Sequence, residues 1–252
     1  MTPRFTIWSF GRNLRTTSPA PHLQALTTTL EQTRQDWEML LVDDASEDGT
    51  GSWLRAQPGL MDRRITFVTR PERRGKMQNF IDLFPRFRGE IAVELDADDW
   101  WCDADALAKI AACYDAADDV DCTLGRYKHA TIETSSGPVP IAAVGRPRAL
   151  QISPALRTWR VSMMRDAVRA YPDAFIDPFT GEAWSASADH AISQLATHCA
   201  RRVVDLGSIV YVVNDHAERD ERIHSAEQRL CNQRILSMWI GIKNKEAGVA
   251  HV

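Results

Sequence analysis

No apolar run in this chain approaches the roughly 18 residues of a membrane-spanning helix, so an integral membrane protein is not expected. The opening Met1-Thr2-Pro3-Arg4-Phe5 has no apolar leader core and no small-residue cleavage site. Cysteine is scarce and scattered: Cys102, Cys113, Cys122, Cys199 and Cys231 form no close pairs. That spacing argues against a disulfide frame or a zinc cluster and reads as reduced thiols. Positive charge is not in surplus, with 30 Lys and Arg against 34 Asp and Glu for a net charge of -4. There is accordingly no general electrostatic reason to expect nucleic acid or an anionic membrane as partner. Internal repeats and low-complexity segments are missing, and His129, His190, His198 and His224 show no metal-ligating spacing. What remains is a globular chain expected in the cytoplasm or at the periphery of a membrane, with its oligomeric state unspecified.

Two acidic clusters stand out, each closing an apolar run. Met39-Leu40-Leu41-Val42 leads into Asp43-Asp44-Ala45-Ser46-Glu47-Asp48-Gly49-Thr50, and Ile91-Ala92-Val93-Glu94-Leu95 leads into Asp96-Ala97-Asp98-Asp99. Short apolar runs bounded by turn residues read as buried strands. Carboxylates just past the C-terminal ends of parallel strands lie in the crevice where open α/β sheets bind ligands. Crowded there, they repel one another unless a cation joins them, and a hard divalent ion shared with a phosphate answers that need. Arg70, Arg73, Arg74 and Lys76 fall between the clusters, where cations suit phosphate oxygens.

The first half alternates the two element types, with strands expected at 5–10, 39–42, 65–68, 91–95 and 120–124. Helices are expected around 22–35, through Trp53-Leu54 with Ser46 or Asp48 as cap, and over 75–84 and 103–114. This predicts an α/β fold with a mainly parallel central sheet flanked by helices. After Gly125 the pattern loosens: Ser135-Ser136-Gly137-Pro138 is turn chemistry, an irregular stretch runs to about Asp166, and a loop covers 172–181. A helix over 186–199, short strands at 203–204 and 209–213, and a terminal helix over 226–240 complete the reading. Residues 1–252 are expected to form one domain, with a nucleotide-binding half to about residue 125 and an acceptor-binding half beyond it. Of Trp100 and Trp101, directly after the second cluster, one is a candidate for stacking on a sugar or acceptor and the other for core packing, and Trp159 and Trp184 are more remote acceptor candidates.

Val42-Asp43-Asp44-Ala45-Ser46-Glu47-Asp48-Gly49-Thr50 closely resembles the "VDDGSxDGT" signature of family 2 glycosyltransferases. Glu94-Leu95-Asp96-Ala97-Asp98-Asp99 is similar to their "lDaDD" segment, which holds the DxD motif of the GT-A fold. Between them Arg73-Arg74-Gly75-Lys76-Met77-Gln78-Asn79 resembles a shortened "GxxxaRN" segment. Ser187-Ala188-Asp189-His190 stands where the family has "ED" or a lone Asp, and 211–216 resembles its "yR.H" ending. The resemblance implies a GT-A fold and inverting transfer from a nucleotide sugar, guessed to be a UDP-sugar, to a hydroxyl on a sugar, a lipid-linked glycan or another molecule. It implies Mn²⁺ or Mg²⁺ at Asp98 and Asp96, with His216 as a further ligand. Asp96 could equally contact the ribose. Asp43 and Asp44 would bind base and ribose, with Asp44 accepting a base N–H. The main chain of Ser9 and Phe10 would line the base pocket with Arg12 nearby, and Lys76 and Arg73 would meet base or diphosphate. Asp189 would be the general base, while Asp99 caps the following turn.

The chain also departs from the pattern. Phe5-Thr6-Ile7-Trp8-Ser9-Phe10-Gly11-Arg12 lacks the proline and asparagine of the usual "vsviiPtyNr" opening, and Ala188 replaces a frequent Glu. These departures keep open a catalytically silent nucleotide- or sugar-binding relative. A nucleotidyltransferase is a poorer alternative, because Gly11-Arg12-Asn13-Leu14-Arg15 holds one glycine where that chemistry needs a glycine-rich phosphate loop.

Overall fold

The computed structural model describes residues 2–17, 21–129, 157–214 and 226–246. Strands β1 (Phe5–Gly11), β2 (Trp37–Asp43), β3 (Ile65–Thr69) and β4 (Ile91–Glu94) lie parallel in the order β3-β2-β1-β4. The sheet continues through β7 (Arg157–Arg160), β6 (Val120–His129), β8 (Arg202–Val213) and β5 (Trp100–Trp101). β7 runs antiparallel to β4 and β6, and β5 antiparallel to β8.

The central strands are apolar almost throughout because both of their faces are covered. Side chains alternate across a strand, and the core divides accordingly. Trp8, Leu40, Val42 and Ala92 pack on one side with α4 (Gly75–Leu83), α6 (Val161–Ala170), α7 (Ala188–Cys199) and α8 (Ala226–Glu246). Phe5, Ile7, Met39, Leu41, Ile91 and Val93 pack on the other with α2 (Pro21–Leu30), α3 (Thr50–Arg55) and α5 (Ala106–Asp115). Phe80 of α4 anchors the first side, with Trp8, Phe84, Phe87, Trp159 and Phe175 ringed around it at centroid distances of 5.2–6.3 Å.

Several elements differ from the sequence reading. The stretch before Asp166, read as irregular, contains β7 and the first half of α6. Their apolar residues Trp159, Val161 and Met164 are buried between sheet and helices, a tertiary effect invisible to local pattern. The two short strands around Gly207 form one strand, β8, which passes the glycine at φ 68° with bulged pairing to β6. Trp100-Trp101 pairs with Val212 and Tyr211 at the sheet edge. Neither Ser46 nor Asp48 occupies the N-cap of α3: Gly49 does, in the left-handed region, while Asp48 accepts the Thr50 N–H at 2.9 Å. The turn expected at 135–138 lies outside the described residues. No helix among the described residues is long and apolar enough to cross a membrane.

Candidate functional site

Because β1 to β4 are parallel, their C-terminal ends share one sheet edge, and β1 holds the two acidic clusters side by side. Gly11 is in register with Asp43, and the Asp44 N–H donates to Gly11 O at 3.0 Å. On the other flank the Leu95 N–H donates to Trp8 O at 3.0 Å and the Ala97 N–H to Phe10 O at 3.1 Å. The second cluster therefore continues the β1 pairing beyond the end of β4. Gly11 is required at this seam, since a Cβ there would come within 2.9 Å of Ala97 Cβ and 2.5 Å of Leu14.

The first cluster is mostly self-supporting. Asp43 accepts the Ser46 amide at 3.3 Å and the Ser46 hydroxyl, and a Cβ at Gly51 would stand 2.5 Å from Asp43 Oδ2. Residues 12–15 interlace with 45–50. The Asn13 N–H donates to Ser46 Oγ at 2.8 Å, the Glu47 N–H returns to Asn13 Oδ1 at 2.9 Å, and Arg12 pairs with Glu47 at 2.7 Å. Arg12 thus braces the wall beside β1.

Asp44 has a different role from the one expected. It is fully buried, and its carboxylate accepts the Arg74 and Gly75 N–H groups at 2.9 Å each and the Asn79 amide at 2.8 Å. Asp44 therefore fastens the start of α4 and exposes no edge to a base N–H. Asn79 continues the chain by accepting Arg70 Nε at 2.7 Å, and Arg70 pairs with Asp82 at 3.0 Å. Asn79 was given no role from sequence. Its signal was its place one turn after Gly75, on the helix face that meets Asp44.

Anchoring α4 this way sets Lys76 over the second cluster. Its ammonium lies 2.6 Å from Asp96 Oδ1 and 2.8 Å from Glu94 Oε1, and 5.8 Å from the centroid of the Trp8 ring. Residues 94 and 96 are two apart and so share one side of the strand, a pattern that could have flagged Glu94. Arg73 is exposed at the rim.

The three aspartates after β4 are not equivalent. Asp96 and Asp98 are partly exposed, whereas Asp99 is 2% exposed. The Asp99 carboxylate accepts the Tyr211 hydroxyl at 2.5 Å and the Asn214 N–H at 2.8 Å. Burial, and then the charges of Asp99, Asp96 and Asp98, push the Tyr211 hydroxyl well above the usual tyrosine range, so it stays protonated.

The donor set fits a hard divalent cation. Asp96 and Asp98 offer carboxylate oxygens at a partly exposed turn, and such a cation needs only one or two carboxylates when phosphate and water complete its shell. Among the described residues no three His, Cys, Asp or Glu side chains form a ready cage. His216 lies outside the described residues.

Asp189 is the second residue of α7, partly exposed, and α7 packs against α4. Ser187, just before it, holds φ 59°. Among the described residues the other non-glycine residues at positive φ are Asn13 and Ala45, and the three lie within two positions of Arg12, Asp44 and Asp189. Such strain costs about 1–3 kcal/mol per residue and concentrates at functional sites. Ser9 is fully buried, and its hydroxyl has no hydrogen-bond partner among the described residues.

Of the four tryptophans, three are core residues: Trp101 takes the core place expected for one of its pair, and Trp159 and Trp184 are corrected from acceptor candidates. Trp101 is 1% exposed and donates to Thr29 Oγ1 at 2.9 Å. Trp159 packs on Phe80, and Trp184 donates to Ala174 O at 3.2 Å. A stacking platform must show a ring face, and of the four only Trp100 is partly exposed.

The family model for glycosyl transferase family 2 matches residues 21–168, more than half of the chain, including both acidic clusters and α4. No curated protein matches by sequence. Among solved structures, S. aureus TarS 1-349 superposes with a TM-score of 0.64 at 17% identity, over 84% of this chain and 60% of that one. The same fragment in complex with UDP-GlcNAc gives 0.64 at 17% identity, over 84% and 59%. The mannosyltransferase PcManGT from Pyrobaculum calidifontis, in complex with GDP-Man and Mn²⁺, gives 0.57 at 22% identity, over 92% and 63%. This chain thus spans about 60% of the length of the TarS fragment. The family match and the shared architecture together mean that the chain has the GT-A fold and belongs to glycosyl transferase family 2.

Proposed function

We propose that this chain transfers a sugar from a nucleoside-diphosphate sugar to an acceptor hydroxyl, with inversion at the anomeric carbon. The observation that carries the reading is the shared edge of β1. It brings the Asp43 cluster, Lys76 and the Asp96–Asp98 turn together where parallel strands end, as a nucleotide with a phosphate-bound cation requires.

In this reading Ser9, Phe10 and Asp43 border the base and ribose, Asp44 holds α4 in place, and Arg12 and Arg73 stand at the rim. Asp98 and Asp96 would hold Mn²⁺ or Mg²⁺, which supplies neutralisation of the charge that builds on the departing diphosphate. Asp189, on the acceptor side, takes the proton of the attacking hydroxyl as the new C–O bond forms and the bond to the diphosphate breaks. Trp100 offers a ring face to the sugar or acceptor. UDP is the proposed nucleotide, supported by the UDP-GlcNAc complex of TarS. GDP is its rival on the strength of the GDP-Man complex of PcManGT. The acceptor is a hydroxyl on a soluble or lipid-linked molecule, met in the cytoplasm or at a membrane surface.

Two substitutions separate the roles. Asp98→Asn should abolish Mn²⁺-dependent nucleotide binding, whereas Asp189→Asn should leave binding intact and remove turnover. Equal loss of nucleotide binding in both would overturn the assignment.

A further inference from the structure

The turn that carries Asp96 and Asp98 is secured by residues from the far end of the chain. The Tyr211 hydroxyl on β8 donates to Asp99 Oδ2 at 2.5 Å and accepts the Asp96 N–H at 3.3 Å. The Asp99 N–H closes the turn on Asp96 O at 3.0 Å, and Asp99 Oδ1 takes the Asn214 N–H at 2.8 Å. One hydroxyl therefore grips both ends of a four-residue turn, and one buried carboxylate ties that turn to the end of β8.

Burying Asp99 beside two other carboxylates is costly unless its oxygens are satisfied. An arginine or lysine would satisfy them, but it would add a second positive charge to that of Lys76, 2.6 Å from Asp96, where a divalent cation has to bind. Tyrosine supplies the hydrogen bond and remains neutral. On the reading that Asp96 and Asp98 hold a divalent cation with the donor diphosphate, we infer that Tyr211 and Asp99 are positioning residues for that cation. They fix the Asp96–Asp98 turn in shape and add no positive charge to the one that Lys76 already brings to Asp96. Outer partners of metal-binding carboxylates act in this way: they orient the ligands without touching the ion.

The test compares the 252-residue chain with Tyr211→Phe, which keeps the buried ring and removes only the hydroxyl. Mn²⁺ is titrated at saturating UDP, with free Mn²⁺ read by electron paramagnetic resonance, and exchange of the Asp96 amide is followed by NMR. The expected result is a rise of about 10- to 100-fold in half-saturating Mn²⁺, together with faster Asp96 exchange. Should Tyr211→Phe fail to fold, Asp99→Asn carries the same expectation, because its one amide oxygen can accept from only one of the Asn214 N–H and the Tyr211 hydroxyl. A variant with a lower thermal midpoint but unchanged Mn²⁺ affinity has lost only structural support, and that result overturns the positioning role. Wild-type protein that takes up no Mn²⁺ with UDP overturns the cation reading itself, and the positioning role with it.

Discussion

Lys76 and Asp96 meet at 2.6 Å, and the same ammonium lies 2.8 Å from Glu94, a residue 4% exposed. One cation thus serves a buried carboxylate at the end of β4 and a partly exposed one two residues beyond it. Removing the cation from a buried carboxylate is expected to cost about 3 kcal/mol. Lys76→Met should lower unfolding stability by that order in a denaturant titration, and Lys76→Met with Glu94→Gln should recover most of it. Full stability in the single variant would show that Lys76 is held there for ligand binding alone.

Ala45 occupies φ 58°, where the family signature has glycine. An L-residue in this region costs about 1–2 kcal/mol, partly offset by the lower entropy of the unfolded alanine chain. Ala45→Gly should therefore raise the thermal midpoint by about 1–4 °C and leave nucleotide binding unchanged. A lower midpoint would mean that the methyl group makes contacts that outweigh the strain.

Burial pushes the hydroxyls of Tyr114 and Tyr211 well above the ordinary value of 10, and the hydrogen bond to Glu246, with burial, raises Tyr171 to about 12. A raised folded value favours the protonated form in the native state. Its stabilising contribution is fully present below pH 10 and is lost as pH rises past the unfolded value toward the folded one. The tyrosinate absorbance of Tyr114 and Tyr211 should therefore appear together with loss of helical circular dichroism on alkaline titration. Ionisation of Tyr114 or Tyr211 in a fully folded protein would contradict the burial described for them.

Much of the sheet edge was legible in the sequence, because apolar runs ending in carboxylates report both a buried strand and the chemistry at its end. Asp96, Asp98 and Lys76 could be picked out for that reason. The role of Asp44 was not legible: an aspartate that binds a base and one that fastens a helix share the same local pattern, and the choice rests on Asn79 and two amide groups about 30 residues away. Trp159 and Trp184 misled for a related reason, since an indole serves core and acceptor site equally well until its burial is known. β7 and α6 escaped notice because their burial comes from distant strands and helices. Tyr211 was visible as part of a motif, but its bond to Asp99 spans 112 positions and has no local signature.

The most direct test of the central claim is calorimetric titration of the protein with UDP, GDP, dTDP and CDP, each with and without Mn²⁺. The account predicts that one nucleotide, with UDP first in line, binds only when Mn²⁺ is present and that Asp98→Asn removes this binding. Binding of none of the four, or binding indifferent to both Mn²⁺ and Asp98, would contradict it.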